Sequence, residues 1–353
     1  MTVGKIGLTF LCLSSFLFSR NPILDHAEPK LSDYGFFKEP MKDQVPIDGI
    51  LPFTVAAPLF SDYAEKLRFI QVPEQSIITR RADNTFNFPV GTFLIKTFYY
   101  DHEFRVSNGE RRIMETRLLK NTESGWIAMP YVWNEAQTDA VLAIAGDRTS
   151  VSFIHGNGEK IDLLYSVPNM NQCKGCHVYN NILQPIGPKV RNLNLVYPYA
   201  DGKMNQLEKW TEAGIMEALP HSDTLPRTAN YMDPSDGTLN DRARAWLDIN
   251  CANCHRSGGP AESSGLYLDL EQQNITALGV NKPPVAAGRG SGSLMYNIVP
   301  GHPELSILDY RIRSTDPGVM MPELGRKLVH KEGVELIQAW IRDMDDPIEE
   351  KLD

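Results

Sequence analysis

The chain has 353 residues, of which 42% are hydrophobic and 22% are charged, as is usual for a globular protein. This length predicts two or three domains with a substantial core. The formal net charge is −9 and no basic patch is evident, so the sequence predicts no nucleic-acid partner, because a surface that binds phosphates needs clustered Lys and Arg.

Residues 1–27 predict a secretory signal peptide. Lys5 supplies a short positive region, and residues 6–18 form an apolar run that is too short to cross a bilayer. Cleavage after this run gives a periplasmic or otherwise exported protein with no membrane span in its mature form. Cys12 leaves a lipoprotein open as an alternative, although bulky Leu11 precedes it.

Residues 28–168 predict a β-rich domain with an antiparallel sandwich or barrel-like architecture. Runs rich in β-branched and aromatic residues alternate there with turn signals. Residues 92–100 and 110–120 flank Asn108-Gly109, a strong hairpin signal. Further strands are predicted at 126–133, 151–155 and 160–165.

From about residue 168 onward, apolar residues recur at helical spacing. They predict three helices, over 207–219, 238–249 and 331–344. Thr238 and Asp241 give the second helix a start that resembles a capping box. Residues 281–303 are rich in Pro and Gly and predict a loop.

Apart from Cys12, every cysteine belongs to a Cys-x-x-Cys pair that is followed directly by a histidine. The two motifs are Cys173-Lys174-Gly175-Cys176-His177 and Cys251-Ala252-Asn253-Cys254-His255. This pattern is typical of c-type haem attachment, in which the cysteines form thioethers and the histidine binds the iron. The sequence therefore predicts two covalently attached haem c groups, held by Cys173, Cys176, Cys251 and Cys254, with His177 and His255 as proximal iron ligands.

Two other uses of paired cysteines fit less well. Zinc sites of four cysteines separate their pairs by about 15–20 residues, whereas 74 residues lie between Cys176 and Cys251. A thioredoxin-type thiol pair explains only one motif and needs a βαβ context. Neither alternative requires the histidines.

A low-spin electron carrier also needs a sixth iron ligand, usually methionine. Met321, which precedes Pro322, is the predicted ligand of the second haem, with Met320 as its rival. Met232 is the predicted ligand of the first haem. The alternatives that stay open there are Met204, Met216, His221 and an open sixth position, which would permit chemistry as well as electron transfer.

Three further residues are candidates for supporting roles. Pro188 and Pro260 follow the two motifs, and their carbonyls are predicted to orient the proximal histidines, with plain turn formation as the alternative. Arg289 is a candidate partner for a haem propionate, with an ordinary surface position as the alternative. The predicted domains after residue 168 are a first haem-binding segment at 169–235, a helical cytochrome c domain with the second haem at 236–346, and an acidic tail at 347–353.

Residues 238–344 resemble the cytochrome c modules of large bacterial multi-domain cytochromes, in the stretches DINCANCHRSGGPA, IVPGHPELSIL and GVMMPELG and in the helix that contains Trp340. In such modules the methionine before proline is the distal ligand, which the resemblance implies for Met321. With IGPKVRNLN and NQLEKWTEAG, nearly the whole mature chain is similar to a bacterial family of two-haem c-type cytochromes with a β-rich N-terminal region. That family implies redox partner proteins, among them a parallel β-helix protein, and no particular activity.

The stretch PVGTFLIKTFYY, followed by a haem motif, resembles hydroxylamine-oxidising cytochromes whose haem is cross-linked to a lysine. That resemblance implies Lys96 as the lysine. Strand alternation favours instead an outward-facing surface position for Lys96. The predicted function is single-electron transfer, and the alternative is a haem enzyme at the first haem, for hydroxylamine-type oxidation or peroxide reduction.

Overall fold

A six-stranded antiparallel sheet forms the centre of the N-terminal half. The computed structural model describes residues 25–106, 109–286 and 288–345. The strands of the sheet, in spatial order, are β1 (Ile50–Pro52), β2 (Glu65–Gln71), β5 (Phe93–Asp101), β6 (Arg111–Thr122), β7 (Gly125–Trp133) and β8 (Ala140–Leu142). The prediction of an antiparallel β region is therefore confirmed, and the sheet is open, with β1 and β8 at its edges.

Smaller two-stranded sheets surround the six-stranded sheet. They pair β3 (Thr79–Arg80) with β4 (Phe86–Asn87), β9 (Asp147–Ile154) with β10 (Lys160–Val167), β11 (Val178–Tyr179) with β12 (Ile182–Leu183), and β13 (Val196–Tyr199) with β14 (Gly202–Asn205). The predicted strands at 92–100, 110–120, 126–133, 151–155 and 160–165 match β5, β6, β7, β9 and β10. Asn108 lies outside the described residues. β-structure continues past residue 168, so the second half is mixed.

Seven helices occur in the described part of the chain. They are α1 (Met170–His177), α2 (Val190–Leu193), α3 (Gln206–Glu212), α4 (Leu239–Asn250), α5 (Ile275–Leu278), α6 (Ile307–Ile312) and α7 (Lys331–Arg342). None of the described helices is long and apolar enough to span a membrane. The predicted signal peptide lies almost wholly, and the acidic tail wholly, outside the described residues.

The predicted helices at 238–249 and 331–344 correspond to α4 and α7, which pack together. Thr238 caps α4 through the expected capping box, since its hydroxyl accepts from the N–H of Asp241 and the Asp241 carboxylate accepts from the N–H of Thr238. Trp340 of α7 donates to Asn240 at 2.9 Å. The apolar stripe of α7, including Ile337 and Ile341, is fully buried in the core between the two helices.

The prediction of a helix over 207–219 is wrong in its second half, because α3 ends at Glu212. Gly214 adopts a left-handed backbone conformation that terminates the helix. Beyond it, the carbonyl of Ile215 accepts from the N–H of Ile78 at 2.8 Å. Leu207 and Trp210 of α3 are buried in a hydrophobic core. Ile215 and Leu219, which come after the end of the helix, pack against the same core.

The segment between β1 and β2 ties the sheet to the helical half. The N–H of Phe60 donates to Asn250 of α4 at 3.0 Å, and the N–H of Ala57 donates to Asn192 of α2 at 3.1 Å. Ala57 is itself part of the core around α4 and α7. The predicted boundary at residue 168 is therefore bridged by packing and hydrogen bonds.

Candidate haem-binding site

The first motif occupies the last turn of α1. Asn169 caps this helix, because its side chain accepts from the N–H of Gln172 while the Gln172 side chain accepts from the N–H of Asn169, each at 2.9 Å. Cys173, Cys176 and His177 follow at intervals of three and four residues, which places them near one another on a helix. The helix ends immediately after His177, where β11 begins.

The second motif forms a turn at the end of α4. Cys251 leaves the helical conformation, and its carbonyl accepts from the N–H groups of Cys254 and His255 at 3.1 and 2.9 Å. Asn253 donates from its side chain to the carbonyl of Ile249 in α4 at 2.8 Å. The motif is therefore fixed to the packed helix that precedes it.

The imidazole of His177 is held in one tautomer. Its Nδ1 lies 2.9 Å from the carbonyl oxygen of Gln184, an acceptor only, so Nδ1 carries the proton. Burial lowers the pKa of His177 to about 4, and the charges of Lys96 and Arg117 act in the same direction. The ring is therefore neutral at pH 7, with the lone pair of Nε2 free to bind a metal.

His255 reaches the same state through a different partner. Its Nδ1 lies 3.2 Å from the hydroxyl of Ser264, which already donates to the carbonyl of Ala261 at 2.7 Å. The hydroxyl proton is therefore used, and Ser264 accepts from the imidazole. Burial lowers the pKa of His255 to about 4, with a smaller contribution from Arg311.

The predicted carbonyl partners of the two histidines are therefore wrong. Gln184 serves in place of Pro188 because the β11–β12 hairpin turns the chain back onto His177, where the Gln184 N–H also donates to the His177 carbonyl. Ser264 serves in place of Pro260. In both cases a second interaction fixes the tautomer, as the haem-ligand hypothesis requires.

One cavity of about 670 Å³ is lined by residues of both motifs, a size typical of ligand pockets. Its wall includes Cys173, Cys176 and His177 of the first motif and Cys254 of the second. Cys251 and His255 are outside this lining, and Cys251 is buried. Both cysteines and the histidine of the first motif therefore face the cavity, and the second motif reaches it through Asn253 and Cys254.

The two motifs are in contact. The Cys254 thiol donates to the carbonyl oxygen of Gly175 at 3.3 Å, and its sulfur lies beside the Cys176 thiol. The Cys254 side chain, followed by the charges of Arg117 and Lys96, lowers the pKa of Cys176 to about 7 despite burial. Groups attached at Cys176 and Cys254 would therefore be neighbours.

The loop that carries Met321 closes another side of the cavity, and Met320 and Met321 both line it. Arg326, which is buried, donates to the carbonyl of Met321 at 2.7 and 3.1 Å. The N–H of Met321 donates to the carbonyl of Arg311 at 3.1 Å, and the charge of Arg311 also acts on His255. Met321 and His255 thus share Arg311 as a neighbour, although His255 is outside the cavity lining; the assignment of Met321 as the ligand opposite His255 stays a prediction.

Met232 receives no such support. It is 50% exposed and is not among the described residues that line the cavity. The other three candidates for the first haem are also outside the lining: Met216 is buried in the core around Trp210, His221 is exposed, and Met204 is on β14. The described cavity residues therefore include none of the ligands predicted opposite His177.

The prediction of a surface position for Lys96 is wrong. Lys96 lines the cavity, in register with Arg68 of β2 and Arg117 of β6. Strand alternation assumes that one face of the sheet is exposed to solvent. Here both faces are covered by other segments, so alternation does not identify an exposed position. Arg289, in contrast, is 69% exposed and forms an ion pair with Asp316 at 2.7 Å, which supports its ordinary surface role.

The residues fit covalently bound haem. All four motif cysteines are free of disulfides, and each motif has a histidine whose Nε2 has no hydrogen-bond partner among the described residues. The described residues contain no group of three or more His, Cys, Asp or Glu side chains that could hold a metal ion. A haem iron needs only one or two protein ligands, because the porphyrin provides the rest.

Sequence reasoning missed Gln184, Ser264, Arg326 and Arg68. Arg326 follows the Met-Pro pair by four residues, and a basic residue so near a proposed ligand loop is the one signal that could have identified it.

Comparisons with protein-family models, with curated proteins and with solved structures each returned no match. Function is therefore inferred from the side chains and their geometry.

Proposed function

We propose that the chain is an exported dihaem c-type cytochrome that transfers single electrons through two covalently bound haems. Cys173 and Cys176 would hold the first haem, and Cys251 and Cys254 the second, with His177 and His255 as proximal ligands. The bound groups supply reversible one-electron chemistry between Fe(II) and Fe(III). The proposal agrees with the resemblance to two-haem cytochromes with a β-rich N-terminal region.

The observation that carries the proposal is the state of the two histidines. Each directly follows a Cys-x-x-Cys pair and is neutral, and each has its Nδ1 proton committed to an acceptor. Two unrelated local structures, a β-hairpin and a serine turn, produce this same arrangement. A structural histidine has no need of an unpartnered Nε2, whereas an iron ligand does.

Contact between the motifs supports electron exchange within the chain. Cys176 and Cys254 are neighbours. Leu324 of the Met321 loop packs closely against Gly175: a Cβ atom on residue 175 would lie only 2.9 Å from Cδ1 of Leu324. The Met321 loop therefore packs against the first motif. We expect a redox partner protein, of which a parallel β-helix protein is one candidate class, and a location in the periplasm or elsewhere outside the cytoplasm.

A second candidate function is a haem enzyme acting on a small substrate at the first haem. It is favoured by the absence of every predicted distal ligand of His177 from the described cavity lining. Hydroxylamine-type oxidation and peroxide reduction are the reactions considered. Under this alternative the second haem serves as the electron relay.

Optical and electron paramagnetic resonance spectra of the purified, haem-loaded protein test the two candidates. The electron carrier predicts two low-spin irons that do not bind cyanide or carbon monoxide readily. The haem enzyme predicts one high-spin iron that binds them, and substitution of Met321 would leave that iron unaffected. A spectrum without haem bands would contradict both.

A further inference from the structure

Three cations stand in register on one face of the six-stranded sheet. Arg68 of β2 is directly opposite Lys96 of β5, and Lys96 is directly opposite Arg117 of β6. All three line the cavity that contains His177. Like charges at directly opposed positions repel each other, and a sheet does not normally place them together without an anion.

The carboxylate that contacts Arg117 is already used. Glu115 is fully buried and accepts from Arg117 through both oxygens, at 2.6 and 2.8 Å, and from the hydroxyl of Tyr165 at 2.5 Å. The acidic residues of the lining itself are Asp62, which accepts from two backbone N–H groups at 2.6 and 2.7 Å, and Glu323, which is exposed. Glu65, which is exposed and outside the lining, attracts Arg68 but forms no hydrogen bond or ion pair with it. Arg117 is therefore neutralised, whereas Arg68 and Lys96 have no ion-pair partner among the described residues.

Arg68 is 9% exposed, yet its guanidinium has no hydrogen bond and no ion pair with any other described residue. Within the part of the chain that the structure describes, the Lys96 ammonium has one close contact, the ring of Phe98, whose centroid is 4.8 Å from Nζ. A buried cation without a partner is costly, so native structures rarely retain one. Burial and the neighbouring cations lower the pKa of Lys96, and burial lowers that of Arg68 to about 10, which agrees with a missing counter-ion.

We infer that Arg68 and Lys96 form an anion site on the sheet wall of the cavity, which takes a carboxylate or another planar oxyanion. A guanidinium binds such groups through two parallel hydrogen bonds, and an ammonium adds a point charge beside it. The anion has two sources: a propionate of the first haem, which rests on the proposed function, or a small oxyanion from solution, which does not.

The site would also select against cations. The charges of Lys96 and Arg117 already act on His177 and Cys176, so a positively charged substrate would be repelled at the first haem. A free planar anion would instead be drawn toward it.

The test compares haem-loaded wild type with Arg68→Gln, Lys96→Gln and a control, Arg148→Gln, whose side chain is exposed on β9. Redox titration resolves the two haems, and calorimetric titration with nitrate probes for a free site. If a propionate is bound, Arg68→Gln and Lys96→Gln lower one potential only, changing the ratio of oxidised to reduced haem at least threefold, and nitrate does not bind. If the anion comes from solution, wild type binds nitrate saturably and Arg68→Gln weakens binding at least tenfold.

The inference is overturned if both cavity variants match Arg148→Gln in both measurements. Melting curves accompany each variant, so that only variants that remain folded at the assay temperature are compared. The intact mass of the protein tests the proposed function separately. A chain whose mass includes no haem would contradict that function, and it could still bind nitrate through Arg68.

Discussion

Ser264→Ala tests how the structure sets the properties of one haem. In the wild-type protein the hydroxyl accepts from Nδ1 of His255 at 3.2 Å. If His255 binds haem iron as proposed, this bond would strengthen the imidazole as an electron donor and stabilise Fe(III). Without the acceptor, the reduction potential of the second haem should rise. A neutral hydrogen bond contributes about 0.5–1.5 kcal/mol, and this one is long, so we expect the lower half of the range, roughly 20–40 mV for one electron.

The same substitution also affects folding. Ser264 accepts from the N–H of Leu266 at 3.2 Å, so the variant leaves two donors without acceptors. An unsatisfied buried donor costs about 1–3 kcal/mol. Because Ser264 is only half-buried, we expect the free energy of unfolding to fall by about 1–2 kcal/mol.

The assay is spectroelectrochemical titration of the haem-loaded protein. Ser257→Ala is the matched control, since Ser257 lies in the same segment, is exposed and bonds only to Glu262, at 2.9 Å. One of the two redox waves should shift in Ser264→Ala, and neither should shift in the control. Equal movement of both waves, or no difference from Ser257→Ala, would refute the proposed role of Ser264.

The remaining predictions concern the distal loop and a buried histidine. Met321→Ala should convert one haem to a high-spin form that binds cyanide, whereas Met232→Ala should leave the optical spectrum unchanged; the reverse result would exchange their roles. Arg326→Gln removes the donors to the Met321 carbonyl, so a partial high-spin fraction is expected, which the exposed control Arg342→Gln should not show. Burial lowers the pKa of His330 to about 4, whereas a histidine in the unfolded chain has a pKa near 6.5. The free energy of unfolding should therefore be highest above pH 6.5 and should decrease as the pH falls to 4. His330→Phe should reduce that decrease in urea unfolding, the exposed His302→Phe should not, and equal pH dependence in all three proteins would contradict the assignment.

The sequence predicted the elements whose signals are local. Strands β5, β6 and β7 follow from β-branched and aromatic runs, and α4 follows from its capping box and apolar spacing. The Cys-x-x-Cys-His motifs are also local signals, and the haem attachment that they indicate stays a prediction. Such features depend on neighbours within a few residues.

The errors came from contacts between distant residues. Lys96 was assigned to the wrong environment because alternation distinguishes two faces of a strand but does not say which face is covered. The helix at 207–219 was extended too far because Ile215 pairs with Ile78 instead of continuing the helix. The partners of His177 and His255 depend on a hairpin and a serine turn, which no spacing rule identifies.

The distal ligands show the same division. Met321 is carried by a Met-Pro signal and by the resemblance, and it does line the cavity. Met232 had no sequence motif to support it, and its side chain is half exposed. A ligand without a local sequence signal must be found from the fold.

Covalent attachment of two haems is the central claim, and the intact mass of the mature protein tests it most directly. The protein should be produced in a host with working haem-attachment machinery, beside a variant with Cys173→Ala and Cys176→Ala. Wild type should exceed its polypeptide mass by two haems and the variant by one. A wild-type mass equal to that of the bare polypeptide would contradict the account.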